Sequence, residues 1–188
     1  LKALIENFVE TSDSLQNNKV DIGPINTIVS HNHYDSWRFR LSALTTANLS
    51  PHFFMNGYVA YGTKTNNMYG KLQLTYSFNK KAYLTREFPQ NNLSLYYWND
   101  IRSPFDKFIP TDKDNMFLAL QTSKVDQYTH TKEVRLDYTR EFETGLKLYA
   151  QFTANHNKAV DALFFQPLNG NVSPDGITGL TDSYRISE

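Results

Sequence analysis

From about Asp21 onward the sequence alternates apolar and polar residues with a period of two. Trp37-Arg38-Phe39-Arg40-Leu41-Ser42-Ala43 does so cleanly, and Ala47 and Leu49 stay in phase with it. Met55, Gly57, Val59 and Tyr61 resume the pattern after Ser50-Pro51-His52, and Gly70 to Phe78 carries it without a break. Leu93, Leu95 and Tyr97 follow, then Val134, Leu136, Tyr138 and Phe142, then Leu146 to Ala154. A period of two places successive side chains on opposite faces of a strand. The runs are about 9–13 residues long, roughly twice an ordinary strand and enough to cross a bilayer at a tilt.

The ends of these runs carry aromatics: Trp37 and Phe39, Tyr76 and Phe78, Tyr138 and Phe142. Amphipathic rings at headgroup depth form such a girdle around membrane barrels. Lys132 and Arg140 share the apolar face but lie near strand ends, where a long cationic side chain reaches the interface. Composition permits this reading. Mean hydropathy is −0.53, and no apolar run approaches a membrane helix, yet a barrel strand shows lipid only at every second residue. Lys+Arg and Asp+Glu are both 19, so no basic excess points to nucleic acid or to a polybasic surface anchor. With Cys at 0, disulfides, thiol catalysis and thiolate metal sites are excluded.

Leu1, Leu4, Ile5 and Phe8 have helical spacing, so a short helix is expected from Leu1 to about Ser14. Ser50-Pro51-His52 and Glu143-Thr144-Gly145 read as tight turns, whereas Ile101 to Asn115 and Phe165 to Ile177 read as longer loops. Short turns at one end and long loops at the other is the outer-membrane arrangement. Five strands are counted between the two tight turns. That puts them on opposite sides of the sheet unless a strand is miscounted between Asn79 and Asp126.

Several motifs in order carry a resemblance. They are Asp21-Ile22-Gly23-Pro24, Arg38-Phe39-Arg40-Leu41, Thr45-Thr46-Ala47-Asn48-Leu49-Ser50-Pro51, Gly57-Tyr58-Val59-Ala60-Tyr61-Gly62, Glu87-Phe88-Pro89-Gln90-Asn91-Asn92-Leu93-Ser94 and Asp112-Lys113-Asp114-Asn115. Together they resemble an uncharacterised Bacteroidetes family that joins a carboxypeptidase-regulatory-like domain to an outer-membrane barrel, and this chain is similar to the N-terminal part of the barrel region. The resemblance implies a Gram-negative outer-membrane location, a signal peptide and sandwich domain upstream, and further strands downstream. It supplies no catalytic residues. The sequence departs from the family pattern at Ser42-Ala43-Leu44, where glycines are expected, and at His31-Asn32-His33.

His31 and His33, two apart on a strand with Asp35 nearby, are the cluster closest to a metal site, and polar residues at a hairpin tip explain them more simply. No phosphate loop, nucleophile elbow or His-Glu-x-x-His occurs. If Trp37, Phe39 and Leu41 face lipid, then Arg38, Arg40, Lys71, Gln73, Glu133, Arg135, Asp137 and Lys147 face the lumen, where mixed charges pair with one another rather than form an ion-selective pore.

The expected fold is therefore all-β: an antiparallel up-and-down transmembrane barrel, partial, of about eight or nine strands, preceded by a short helix. Residues 1–20 are helix and linker, and 21–188 are barrel. Both ends are expected to be truncations, with an unpaired sheet edge near Tyr184 to Glu188. The expected role is structural or transport-type in the bacterial outer membrane, with lipid and other envelope proteins as partners. No catalysis, cofactor or metal is expected, and no nucleic acid. The alternatives are a soluble β-rich ligand- or glycan-binding module and an envelope hydrolase. A soluble barrel would place its apolar residues inside and its Arg and Lys faces outside.

Overall fold

A computed structural model describes residues 9–12, 17–102, 127–161 and 177–187, with backbone alone at 127, 161 and 177–187. All ten strands belong to one antiparallel sheet: β1 (Val9–Glu10), β2 (Val20–Ile22), β3 (Val29–Asn32), β4 (Ser36–Thr45), β5 (Phe53–Gly62), β6 (Met68–Ser77), β7 (Asn91–Arg102), β8 (Gln127–Glu141), β9 (Lys147–Asp161) and β10 (Ile177–Ser187). From β4 to β10 each strand pairs with the next in sequence, the up-and-down order expected. β2 and β3 both lie against β4, one at each of its ends, with a single turn of 3-10 helix (Ile25–Thr27) between them. Pro24 has no N–H to give the ladder, but Gly23 N–H donates to the Ser42 carbonyl at 3.0 Å and Arg40 N–H to Ile28 at 2.8 Å, so the interrupted strand stays in place. Among the described residues the sheet is not closed, and β1 and β10 are its edges.

Two expectations are corrected. Val9 and Glu10, inside the span read as a helix, form β1 against Ile22 and Asp21; residues 1–8 and 13–16 lie outside the described residues. Among the described residues four strands, β5 to β8, separate the turns at 50–52 and 143–145, not five, and their antiparallel pairing puts both turns at the same end of the sheet. The 78–90 segment contains no strand. Ala47 and Leu49, though in phase with β4, fall in the connection to β5, because the Ala47 N–H is taken by the Tyr83 carbonyl (2.9 Å) and Leu49 N–H by Thr46 (3.1 Å). The turn from β8 to β9 is tight as expected. Gly145, at φ 88°, donates to Phe142 at 3.0 Å in a backbone region that glycine adopts without steric cost.

Residues 103–126 and 162–176, where the longer loops are expected, lie outside the described residues; connections 46–52, 78–90 and 142–146 share one end of the sheet, and turns 33–35 and 63–67 share the other with the C-terminal ends of β7 and β9. The last is the long-connection end.

The two faces differ sharply. On one stand Trp37, Phe39, Leu41, Phe53, Met55, Val59, Tyr61, Leu72, Tyr76, Leu93, Leu95, Tyr97, Val134, Leu136 and Phe152, all exposed. On the other, Arg38, Ser42, Thr75, Ser77, Ser94, Asp100, Thr131, Glu133 and Asp137 are buried. Register keeps each set in phase across the sheet: Leu41 opposite Val59, Leu72 opposite Tyr97, Leu95 opposite Leu136, Leu136 opposite Phe152. Residues alternating along a strand and aligned across it can only generate two uniform faces.

Candidate functional site

The polar face is the inner one. Arg38 on β4 donates from Nη2 to Asp100 Oδ2 on β7 at 2.7 Å, with β5 and β6 between them. In a flat sheet three strand spacings hold such residues about 14 Å apart, with side chains standing parallel to one another. Their contact requires the sheet to curve so that these side chains converge.

Around that contact, at the long-connection end, lies a built charge cluster. Arg38, Asp35 and Asp100 have fully buried side chains, and Arg38 Nη1 also meets Asp35 Oδ2 at 3.3 Å. Tyr69 and Thr65 donate hydroxyls to Asp35 Oδ1 at 2.7 and 2.6 Å, and Tyr58 donates to Asp100 at 2.5 Å. Trp98 Nε1 completes the chain on the Tyr58 hydroxyl at 3.1 Å. The Arg38 guanidinium also sits over the Tyr69 ring, 4.6 Å from its centroid. Guanidinium and hydroxyl donors thus meet both carboxylates, and a buried charge persists only with such partners. Gly62 makes the room, because a side chain there would overlap the Asp35 carboxylate. Beside the cluster, Ala60, Tyr69, Ile101 and Tyr128 pack with Tyr34, Tyr58 and Val160.

By register Arg38, Arg40, Lys71, Gln73, Glu133, Arg135, Asp137 and Lys147 lie on the polar face. Arg40 stacks on Tyr58 at 3.9 Å and donates from Nε to Ser42 at 2.9 Å. Arg135 lies over Tyr96 at 4.0 Å, with Asp137 at 3.1 Å and Glu133 at 3.7 Å. Lys71 reaches the same ring at 5.8 Å, Gln73 donates to Thr75 at 3.2 Å, and Lys147 stands opposite Glu141. The sequence reading missed Asp35 and Asp100 as partners of Arg38. Asp35 was a candidate metal ligand instead. Its carboxylate is committed to Arg38, Tyr69 and Thr65, while His31 and His33 are exposed and His31 packs edge-on against Trp37 at 5.2 Å. No set of three or more potential ligand side chains converges on a metal position among the described residues.

At the opposite end the connection 78–90 turns inward. Glu87 holds it compact, its carboxylate accepting the Ala82, Tyr83 and Leu84 N–H groups at 2.7, 2.7 and 2.9 Å. Burial pushes the Glu87 carboxyl up, but the three backbone donors and the nearby Lys81 charge outweigh it and hold its pKa below the usual value. Lys81 is buried, donating to the Glu87 and Pro89 carbonyls at 2.5 and 2.8 Å. Desolvation lowers its pKa against the opposing charges of Glu87 and Glu141. Tyr83 reaches beyond its own strands: Asn18 donates to its hydroxyl at 2.9 Å, and that hydroxyl lies 3.2 Å from Asp21 Oδ2.

The chain matches no protein-family model, no curated protein and no solved structure.

Proposed function

We propose that this chain is part of a transmembrane β-barrel of the bacterial outer membrane, with a structural or transport-type role and no catalysis of its own. The observation that carries the proposal is the inversion of the two faces. A large apolar side chain left in water forgoes about 1.5–3 kcal/mol of burial, and this sheet leaves a whole face of them uncovered while burying its charges. Hydrocarbon against the apolar face reverses that deficit. On β5 the outer residues from Phe53 to Tyr61 cover about 26 Å along the strand, or about 20 Å of height at a tilt near 40°, close to the roughly 25 Å apolar band of known barrels. Trp37, Phe39 and Tyr61 lie toward the long-connection end, and Phe53, Tyr76 and Phe78 toward the other, as two girdles do. On β8 the outer face reads Lys132, Val134, Leu136, Tyr138, Arg140, a band flanked by cations.

The inner face supports the structural part of the proposal. Its charges are engaged with one another and with aromatic rings, which suits a wall more than a row of free ion sites. A soluble ligand-binding barrel requires the opposite orientation, with the apolar residues inside. The resemblance to the Bacteroidetes barrel family, and with it lipid and envelope proteins as partners, belongs to the same proposal. In cells, the protein should remain with the membrane fraction, need detergent for release and migrate differently on gels before and after heating. Release by salt or alkali without detergent would sink the proposal.

A further inference from the structure

The connection 78–90 does more than join β6 to β7. A connector of that length between adjacent antiparallel strands has no need to leave them, since a tight hairpin suffices. This one travels along the sheet, past β5 and β4, to reach residues beside β2. Four hydrogen bonds fix it there. The Tyr83 carbonyl accepts from the Ala47 N–H at 2.9 Å, and the Tyr83 hydroxyl accepts a hydrogen bond from the Asn18 amide at 2.9 Å and donates to the Asp21 carboxylate at 3.2 Å. Lys81 N–H donates to the Pro51 carbonyl at 3.1 Å, tying the segment to the β4–β5 connection as well. Asn18 and Asp21 are themselves buried and hydrogen-bonded to each other, so the receiving end is built.

The segment is also tied to itself. Glu87 gathers three consecutive backbone N–H groups, and the Lys81 ammonium binds the carbonyls on its other side. Between this folded segment and the inner faces of β4, β5 and β6 lies a cavity of about 270 Å³, with Leu84, Thr85 and Arg86 on one wall and Phe54, Gln73 and Thr75 on the other. The segment thus stands over part of the inner face and leaves a space beneath it that is open on its remaining side.

We infer that residues 78–90 form a latched strap folded across the inner face of the sheet at this end, with Tyr83 as the latch, so that access to the wall beneath it widens when Tyr83 lets go. This deepens the proposed function, placing a strap over part of the inner face, and it rests on that reading only for what would pass. The strap itself is the same whatever covers the outer face.

The absence of cysteine makes a direct test available. Thr75→Cys introduces a thiol on the wall under the strap, where the native side chain is 2% exposed. Thr131→Cys places one on the buried inner face of β8, away from the strap. The full chain, folded in detergent micelles, is labelled with a small water-soluble maleimide. Adding Tyr83→Phe, which removes only the hydroxyl, should speed labelling of Thr75→Cys about ten-fold, as expected for loss of a hydrogen bond to a charged group, and leave Thr131→Cys unchanged. Asp21→Asn should act in the same direction. No change at Thr75→Cys with either variant, or an equal rise at both positions, overturns the strap. Because the readout needs no bilayer, failure of the membrane reading would leave this result standing and would show instead in the membrane fractionation.

Discussion

On β8, Val134 and Leu136 stand 47% and 43% exposed, while their neighbours Glu133 and Asp137 on the opposite face are 8% and 6% exposed. The same strand thus buries its carboxylates and presents its aliphatics. In water each half of that choice is unfavourable: charges lose hydration and apolar surface gains contact with solvent. The inner face offsets its half with partners, as Arg135 does between Glu133 and Asp137. The outer face has no such compensation among the described residues. What the contrast teaches is that the two faces are built differently, the polar side organised by its own contacts and the apolar side left without any among the described residues; under the proposed function, lipid covers it.

The comparison breaks most readily at Arg38. Removing it takes the Arg38 guanidinium away from two buried carboxylates, Asp35 and Asp100, so Arg38→Ala should cost about 3–5 kcal/mol of folding free energy. Urea unfolding of the full chain in lipid vesicles measures it, and Asp100→Asn in the same background should recover part of the loss. A change near zero would mean that the inner face is hydrated and that the cluster holds nothing together.

A smaller effect tests the other face. Leu136 lies mid-band on β8, between Lys132 and Arg140. Leu136→Lys should lose about 2–4 kcal/mol in vesicles if that position meets the middle of a bilayer. On a face open to water the same change stays within about 0.5 kcal/mol, because a surface substitution away from any contact is nearly neutral.

The strands β4 to β9 were legible because one face is apolar throughout their central parts, which fixes period and phase together. Legibility ended where that face turned polar. β8 and β9 begin or continue beyond the readable pattern, through Tyr128 to Lys132 and His156 to Asp161, and there the outer positions His130, Lys132, His156 and Lys158 no longer contrast with the inner ones. The count of strands failed for a related reason. The segment 78–90 holds Tyr83, Leu84 and Phe88 but spends its backbone donors on Glu87 and its neighbours instead of a ladder. Membership of the inner face followed from parity alone. Which inner residues touch did not, since Arg38 and Asp100 are separated by 62 positions and Tyr83 and Asn18 by 65. Such pairs depend on how strongly the sheet curves, and alternation carries no information about curvature.

The central claim is that the outer face meets lipid and the inner face does not, and the two tryptophans of the chain sit one on each. Trp37 is 54% exposed among the outer residues, and Trp98 points inward, its indole N–H on Tyr58. With the chain folded into vesicles, Trp98→Phe isolates the emission of Trp37, and Trp37→Phe that of Trp98. Brominated acyl chains should quench Trp37 strongly and Trp98 weakly. Quenching of Trp37 by aqueous iodide in place of brominated lipid would contradict the account.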